Sequence, residues 1–186
     1  MRPIEINAVK NDVLDRLLRQ AELPEAIGLQ LVEMASNRDN DPVWRDYCIQ
    51  FMTPFYERLA TENTAIISTT EDTETTEIEL AAVRETMINA LDERDETIAG
   101  TALIGLELLS RSHGEFDRDM ILDKASNIAA NEAVSNESRL TALRLTSVAG
   151  ADESTANTAR NLAQTGETAY LRSAAIVTLG ETGAPE

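Results

Sequence analysis

The stretch Glu167–Glu186, ETAYLRSAAIVTLGETGAPE, decides the fold because its pattern occurs elsewhere in the chain. An arginine is followed three residues later by a small residue and then by an aliphatic one. This spacing occurs at Arg45, Cys48 and Ile49, at Arg139, Ala142 and Leu143, and at Arg172, Ala175 and Ile176. Such self-similarity is typical of a helical solenoid, in which stacked helical hairpins share one apolar core. The repeats therefore predict an architecture, whereas they leave the specific activity open.

The composition favours helices packed closely on one another. The chain has 186 residues, enough for one domain with a real core or for a short array of hairpins. Aromatic residues make up only 4% of it, and small and aliphatic residues dominate its apolar positions. Small side chains let helices approach closely, so we expect an all-α fold without a large aromatic-lined pocket.

The charge restricts the partners. The formal net charge is −17. Proteins that bind nucleic acids or anionic membranes do so through clustered Lys and Arg. We therefore expect neither partner, and a protein or peptide partner is expected to be basic. The N-terminal residues lack the apolar region of a signal peptide, and no apolar stretch approaches the length of a membrane span, so a soluble protein is predicted, with its compartment open.

Capping residues and prolines predict helix ends in the first part of the chain. Asn11 is expected to cap a first helix, and Pro24 to occupy the first position of a second one. Asp41 and Pro42 are the cap and first residue expected of a third helix. Pro54 is then expected to end or kink that helix, because proline removes a backbone donor and clashes with the preceding turn.

The segment 61–77, TENTAIISTTEDTETTE, predicts an acidic Thr- and Glu-rich loop, since little in it could pack. The next helix is expected to open at Thr76, whose spacing to Glu79 is that of a capping box. Helix patterns then cover 96–111, 117–130, 138–149, a segment that begins near 152 and ends at Gly166, and 168–179.

The segment DPVWRDYCIQFM at Asp41–Met52 resembles the opening of HEAT-like repeats, Asp-Pro-x-x-Arg-x-x-Ala-x-x-x-Leu, of the type found in phycobilin lyases. TAYLRSAAIVTLGETG near the end of the chain resembles it more closely, whereas Ala99 stands where a weaker copy should have arginine. The resemblance implies a short right-handed α-solenoid of antiparallel helical hairpins, HEAT-like or armadillo-like. It implies one domain over 1–186 with about four and a half hairpins.

The recurring arginines are interpreted as structural. An arginine stem can pack between helices while its guanidinium group reaches a carbonyl or carboxylate of an adjoining turn. This interpretation applies to Arg45, Arg139 and Arg172.

Residues that could carry out chemistry are few. His113 is the sole histidine and Cys48 the sole cysteine, so neither a histidine-based catalytic triad nor a zinc site can be assembled in the usual way. We therefore predict no catalytic, cofactor-binding or metal-binding residues and no enzymatic activity. Aromatic residues concentrate between Trp44 and Tyr56, mainly as core, and the three near the proline are the candidates for a partner-binding surface: Tyr47, Phe55 and Tyr56.

Two functions remain open. The first is a protein-interaction or scaffolding module that binds a protein or peptide on its acidic surface. The alternative, which the resemblance allows, is a lyase-like or ligand-chaperoning subunit that acts with a second subunit. The repeat at the end stops after the first helix of a pair, so we expect either a continuation of the solenoid or association of this end with another chain.

Overall fold

The fold is all-helical. A computed structural model of the chain describes residues 3–24, 26–65, 70–94, 97–149 and 153–182. These residues form nine helices and no strand. The helices are α1 (Pro3–Leu18), α2 (Ile27–Ser36), α3 (Pro42–Ala65), α4 (Thr70–Ala90), α5 (Ile98–Ser110), α6 (Arg118–Ala130), α7 (Asn136–Val148), α8 (Glu153–Thr165) and α9 (Ala169–Thr182). None of the helices in these ranges has the length and apolar character needed to cross a membrane.

The helices fall into two compact units, Met1–Ala90 with α1–α4 and Leu91–Glu186 with α5–α9. In the first unit α3 packs against each of the other three helices, and α2 also packs against α4. In the second unit every helix packs against the next helix and against the one after it. The most extensive contacts join α2 to α3, α6 to α7 and α8 to α9, so each of these pairs forms a helical hairpin.

Helix α1 packs on α3 through a buried leucine, Leu14, and through polar contacts. The Asn7 amide donates to the Asp41 carboxylate at 2.9 Å, and the Lys10 ammonium lies 4.6 Å from the centre of the Trp44 ring. The expected cap, Asn11, is wrong: it lies inside the helix, which begins at Pro3. Proline suits the first helical position because the amide it lacks would have no intrahelical partner there.

The turn between α2 and α3 confirms the expected start of α3. Asp41 accepts hydrogen bonds from the amides of Val43 and Trp44, and Pro42 is the first helical residue. The expected start of α2 at Pro24 is wrong. The Pro24 carbonyl instead accepts from the Ile27 amide in a turn, and the helix begins at Ile27.

Pro54 does not end α3, which continues to Ala65. Proline costs one backbone hydrogen bond and some strain in a helix interior, about 3 kcal/mol. Three residues directly after it, Phe55, Tyr56 and Leu59, are buried. The apolar contacts of these side chains offset the local cost, so tertiary packing rather than local preference decides this helix.

The loop predicted over 61–77 is also wrong where the structure describes it, since α3 covers 61–65 and α4 begins at Thr70. Residues 66–69 lie outside the described residues. Threonine is a weak helix former, but glutamate is a good one, and residues 74–78 form helix with mostly exposed side chains. The packed part of α4, which includes the buried Val83 and Met87, lets the helix extend beyond its contacts.

The predicted helices of the second unit are all present, with ends within a few residues of expectation. Asp117 caps α6 by accepting from the amides of Asp119 and Met120, and Ser135 caps α7 by accepting from the Ser138 amide. Gly166 follows the last residue of α8, as predicted.

Candidate functional site

The three recurring arginines occupy the same place in their hairpins. Arg45, Arg139 and Arg172 are each the fourth residue of the second helix of a hairpin. Arg45 Nε donates to the Ala35 carbonyl at 2.8 Å, and Arg139 Nε donates to the Ala129 carbonyl at 3.2 Å. Ala35 and Ala129 are each the penultimate residue of the preceding helix.

Arg172 makes a similar contact with the turn that follows α8, donating from Nη1 to the carbonyls of Gly166 at 2.7 Å and Glu167 at 3.3 Å. Carbonyls at the end of a helix have no intrahelical donor. Arg45 and Arg139 thus each satisfy one such carbonyl, and Arg172 satisfies two carbonyls of the turn after α8, so each arginine ties its helix to the chain that precedes it.

The helix register around these arginines repeats as well. Three residues after each arginine comes a fully buried small side chain: Cys48, Ala142 and Ala175. The following positions differ, because Ile49 and Leu143 are buried while Ile176 is 60% exposed. Thus α9 presents to solvent an apolar position that is core in α3 and α7.

A second recurring device is a cap supplied by another helix. The Glu79 carboxylate on α4 accepts hydrogen bonds from the amides of Gly28 and Leu29 in the first turn of α2, the latter at 3.3 Å. A Cβ on Gly28 would lie 2.7 Å from Glu79 Cγ, so glycine is needed for the carboxylate to approach. In the second unit, Ser138 of α7 accepts in the same way from the Gly100 amide of α5 at 3.1 Å.

These caps correct the expected capping box. Glu79 is in the middle of α4 and does not cap its own helix. It is buried, 5% exposed, and its oxygen stabilises two amides at the positive end of the α2 dipole. The sequence could not show this pairing, because the partners lie about 50 residues apart.

The aromatic residues expected to form a partner-binding surface are mostly core. Phe55 is fully buried and Tyr56 is 3% exposed, whereas Tyr47 is half-buried. The proline was expected to turn some of these rings outward. Because α3 continues through Pro54, Phe55 and Tyr56 stay on its packed side and are not available to a partner.

The second unit instead contains an apolar groove between α5 and α7, which we call the α5–α7 groove. Its volume is about 380 Å³. Its lining residues are Ile104, Glu107, Leu108, Arg111, Arg118, Thr141, Arg144, Leu145, Val148 and Ala149. Ile104 and Leu108 are each more than two-fifths exposed, and Val148 is 81% exposed. The floor is thus apolar surface that lies open to solvent.

The rim of the groove is cationic. Three arginines and one glutamate line it, a net charge of +2 in a chain whose total is −17. Glu107 pairs with Arg111, whose Nη2 lies 2.8 Å from Oε2, and it lies 3.7 Å from Arg118 Nη2. Arg144 is exposed, and no hydrogen bond or ion pair joins it to another described residue.

The groove is not apparent in the sequence, because its residues belong to different repeats. A helical wheel of α5 alone would show Ile104 and Leu108 as one side of a helix that is apolar nearly all round. The signal that could have found it is the spacing of Thr141, Leu145 and Val148 on α7, which marks a second apolar stripe besides the buried one.

Neither the sole cysteine nor the sole histidine is among the residues that line this groove. Burial raises the pKa of the Cys48 thiol to about 12, and the positive charge of Lys10 offsets this only partly. His113 Nδ1 lies 3.9 Å from a Glu115 oxygen, and its ring makes an edge contact with Phe116. Among the described residues, no three His, Cys, Asp or Glu side chains come together as candidate metal ligands.

The buried thiol leads to a first prediction. The thiolate is the reactive form, and a rise of the pKa from 9.0 to about 12 lowers its population at pH 8 by about a thousandfold. We expect Ellman's reagent to label native Cys48 at least that much more slowly than the chain in urea. Because the unfolded thiol ionises first, its titration also lowers stability as the pH rises from 9 to about 12.

The matched control is Cys48→Ala, which places at this position the residue that Ala142 and Ala175 already provide. It should abolish labelling and remove the cysteine contribution to the alkaline loss of stability. Rapid labelling of the native chain at pH 8 would contradict a buried, protonated thiol.

Comparisons of the chain with protein-family models, with curated proteins and with solved structures found no match.

Proposed function

We propose that this chain is a protein-interaction module built as a short α-solenoid of helical hairpins. The observation that carries the proposal is the recurring arginine contact of Arg45, Arg139 and Arg172 at one register of three hairpins. Contacts of each helix with the next two in the second unit support an arrangement of stacked hairpins. Stacking of this kind produces extended surfaces, which solenoids use to bind other proteins.

The charge of the surface favours a basic partner, as the composition suggests. On α4 three exposed glutamates, Glu74, Glu77 and Glu85, lie on the same side of the helix as Ile78, which is 57% exposed. An acidic helix face that also exposes an apolar side chain suits a Lys- or Arg-rich segment, since opposite charges steer the encounter and raise the association rate.

The test is affinity capture from extracts of the source cells, followed by identification of the retained proteins. We expect basic proteins to be captured at about 50 mM salt and largely released at about 300 mM, because salt screens exposed charges. The variant Glu74→Gln/Glu77→Gln/Glu85→Gln should retain at least about tenfold less of them. A control with the same change in charge elsewhere, Glu22→Gln/Glu33→Gln/Glu132→Gln, should capture nearly as much as the native chain.

Two results would count against this function. One is the absence of any captured protein at low salt. The other is a pigment or small ligand that co-purifies with the chain and gives an absorbance band, which would favour the ligand-chaperoning function. If the α4 variant and the control capture equally reduced amounts of protein, the chain would still be an interaction module. The acidic face of α4 would then not be its binding surface.

A further inference from the structure

We propose that the α5–α7 groove binds an amphipathic helix of a partner protein, with leucine-like side chains on the floor and carboxylates on the arginine rim. The inference rests on the proposed interaction function and deepens it, because it names a second surface and the chemistry of its partner. That chemistry is opposite in charge to the chemistry favoured by the acidic face of α4.

The shape of the groove favours a helix. Its floor follows two helices, with Ile104 and Leu108 one turn apart on α5 and Leu145 and Val148 about one turn apart on α7. A partner helix presents apolar side chains at the same intervals, so it can place successive turns between these two rows. The floor is also widely open, as the exposure of Val148 shows, and this suits a long ligand better than an enclosed small molecule.

The charge of the rim identifies the partner as acidic. Arginine forms paired hydrogen bonds with carboxylates, and Arg144 has no described partner that would compete. Arg111 and Arg118 share Glu107, whose single charge cannot neutralise both. At physiological salt, charges act over about 8 Å, so the arginines of the rim are the charges that a helix in the groove meets most strongly.

The acidic remainder of the surface adds selectivity. A strongly acidic helix is repelled by most of this chain, whose net charge is −17, and is attracted only where arginines cluster. An apolar helix without carboxylates would leave Arg144 partly desolvated and without an ionic partner, which is unfavourable. The groove thus combines attraction at one place with repulsion elsewhere, a combination that makes docking specific.

The experiment uses a fluorescent helical probe of about 16 residues with leucines along one face and glutamates on both flanks. A matched probe carries lysine in place of every glutamate. Binding of each probe to the full chain is measured by fluorescence anisotropy at low and physiological salt. We expect the glutamate probe to bind, and Arg144→Glu to weaken it by at least about tenfold.

Two further variants separate the groove from general effects of charge and folding. Arg94→Glu makes the same change in charge at an exposed residue outside the groove lining, and it should alter affinity by less than about twofold. Val148→Ser removes apolar contact at a highly exposed position without opening a core cavity, and it should weaken binding by about fivefold. Circular dichroism would verify that each variant remains folded.

Three outcomes would overturn the inference. They are absence of binding by the glutamate probe, tighter binding by the lysine probe, and equal losses for Arg144→Glu and Arg94→Glu. If the groove bound a medium-chain fatty acid but not the helical probe, the ligand of the groove would be a small amphiphile and not a helix. Capture of basic proteins through α4 is independent of these outcomes, so failure of the groove and failure of the interaction module are distinguishable.

Discussion

Replacing Glu79 by alanine is expected to lower the free energy of unfolding by about 2–4 kcal/mol. The substitution removes the acceptor for the amides of Gly28 and Leu29 and leaves both donors without their carboxylate in the first turn of α2. Because Glu79 is 5% exposed, water enters the gap poorly and the loss is larger than at an exposed cap. Urea unfolding followed through the fluorescence of Trp44, the only tryptophan of the chain, measures the change.

Matched variants isolate the cap from the loss of packing. Glu79→Gln keeps an acceptor oxygen but loses the charge that complements the helix dipole. It should therefore lower the free energy of unfolding by less than half as much as Glu79→Ala does. Glu77→Ala removes an exposed glutamate of the same helix and should change the free energy of unfolding by less than about 0.5 kcal/mol. Equal costs for Glu79→Ala and Glu77→Ala would contradict a cap between helices.

The close approach of Gly28 provides an independent test of the same contact. Gly28→Ala should destabilise the native chain, because its Cβ would meet Glu79 Cγ at 2.7 Å. In the Glu79→Ala background that obstacle is gone, and the better helix propensity of alanine should make the same change neutral or stabilising by up to about 1 kcal/mol. The reversal of sign is the signature of direct coupling between the two positions.

Local signals predicted most of the helix ends in the second unit and the start of α3. The cap at Asp41 and the break at Gly166 depend on residues only a few positions away, and both are found. The register of the arginines was likewise visible in the sequence, because each copy repeats its spacing. Interactions within one turn or one repeat are therefore readable from the chain alone.

Features that depend on distant contacts were not predictable in this way. The helix through Pro54 persists because the residues after it are buried, and burial is decided by other helices. Residues 70–77 are helical because they continue the packed segment of α4, and not because of their own composition. The α5–α7 groove requires residues from three helices, Arg118 among them, whose proximity no single stretch of sequence expresses.

The aromatic cluster of α3 was a wrong candidate site because the prediction for the helix at Pro54 was wrong. An end or a kink of α3 at Pro54 predicts that some of the rings near it, among Tyr47, Phe55 and Tyr56, face a partner. In the structure the helix keeps its phase, so Phe55 and Tyr56 continue the buried side begun by Met52. The surfaces that we propose for partners lie on other helices, on α4 and in the α5–α7 groove.

Phe55→Ala is accordingly expected to act on folding and to lower the free energy of unfolding by about 3–5 kcal/mol. The phenyl ring is fully buried, so its removal loses both the transfer energy of the ring and the contacts of the residues around the cavity. The midpoint of urea unfolding, followed by Trp44 fluorescence, should fall substantially. A loss of partner capture by this variant would then follow from partial unfolding.

Phe55→Leu separates folding from recognition. It retains most of the apolar volume and should cost less than about 1.5 kcal/mol, and in the folded state it should capture the same proteins as the native chain. A surface anchor would behave in the opposite way, since truncation would leave stability nearly unchanged while it abolished binding. If Phe55→Ala kept the urea midpoint of the native chain but lost partner capture, Phe55 would belong to the binding surface. The joint measurement of stability and capture therefore determines whether the aromatic cluster of α3 is core or interface.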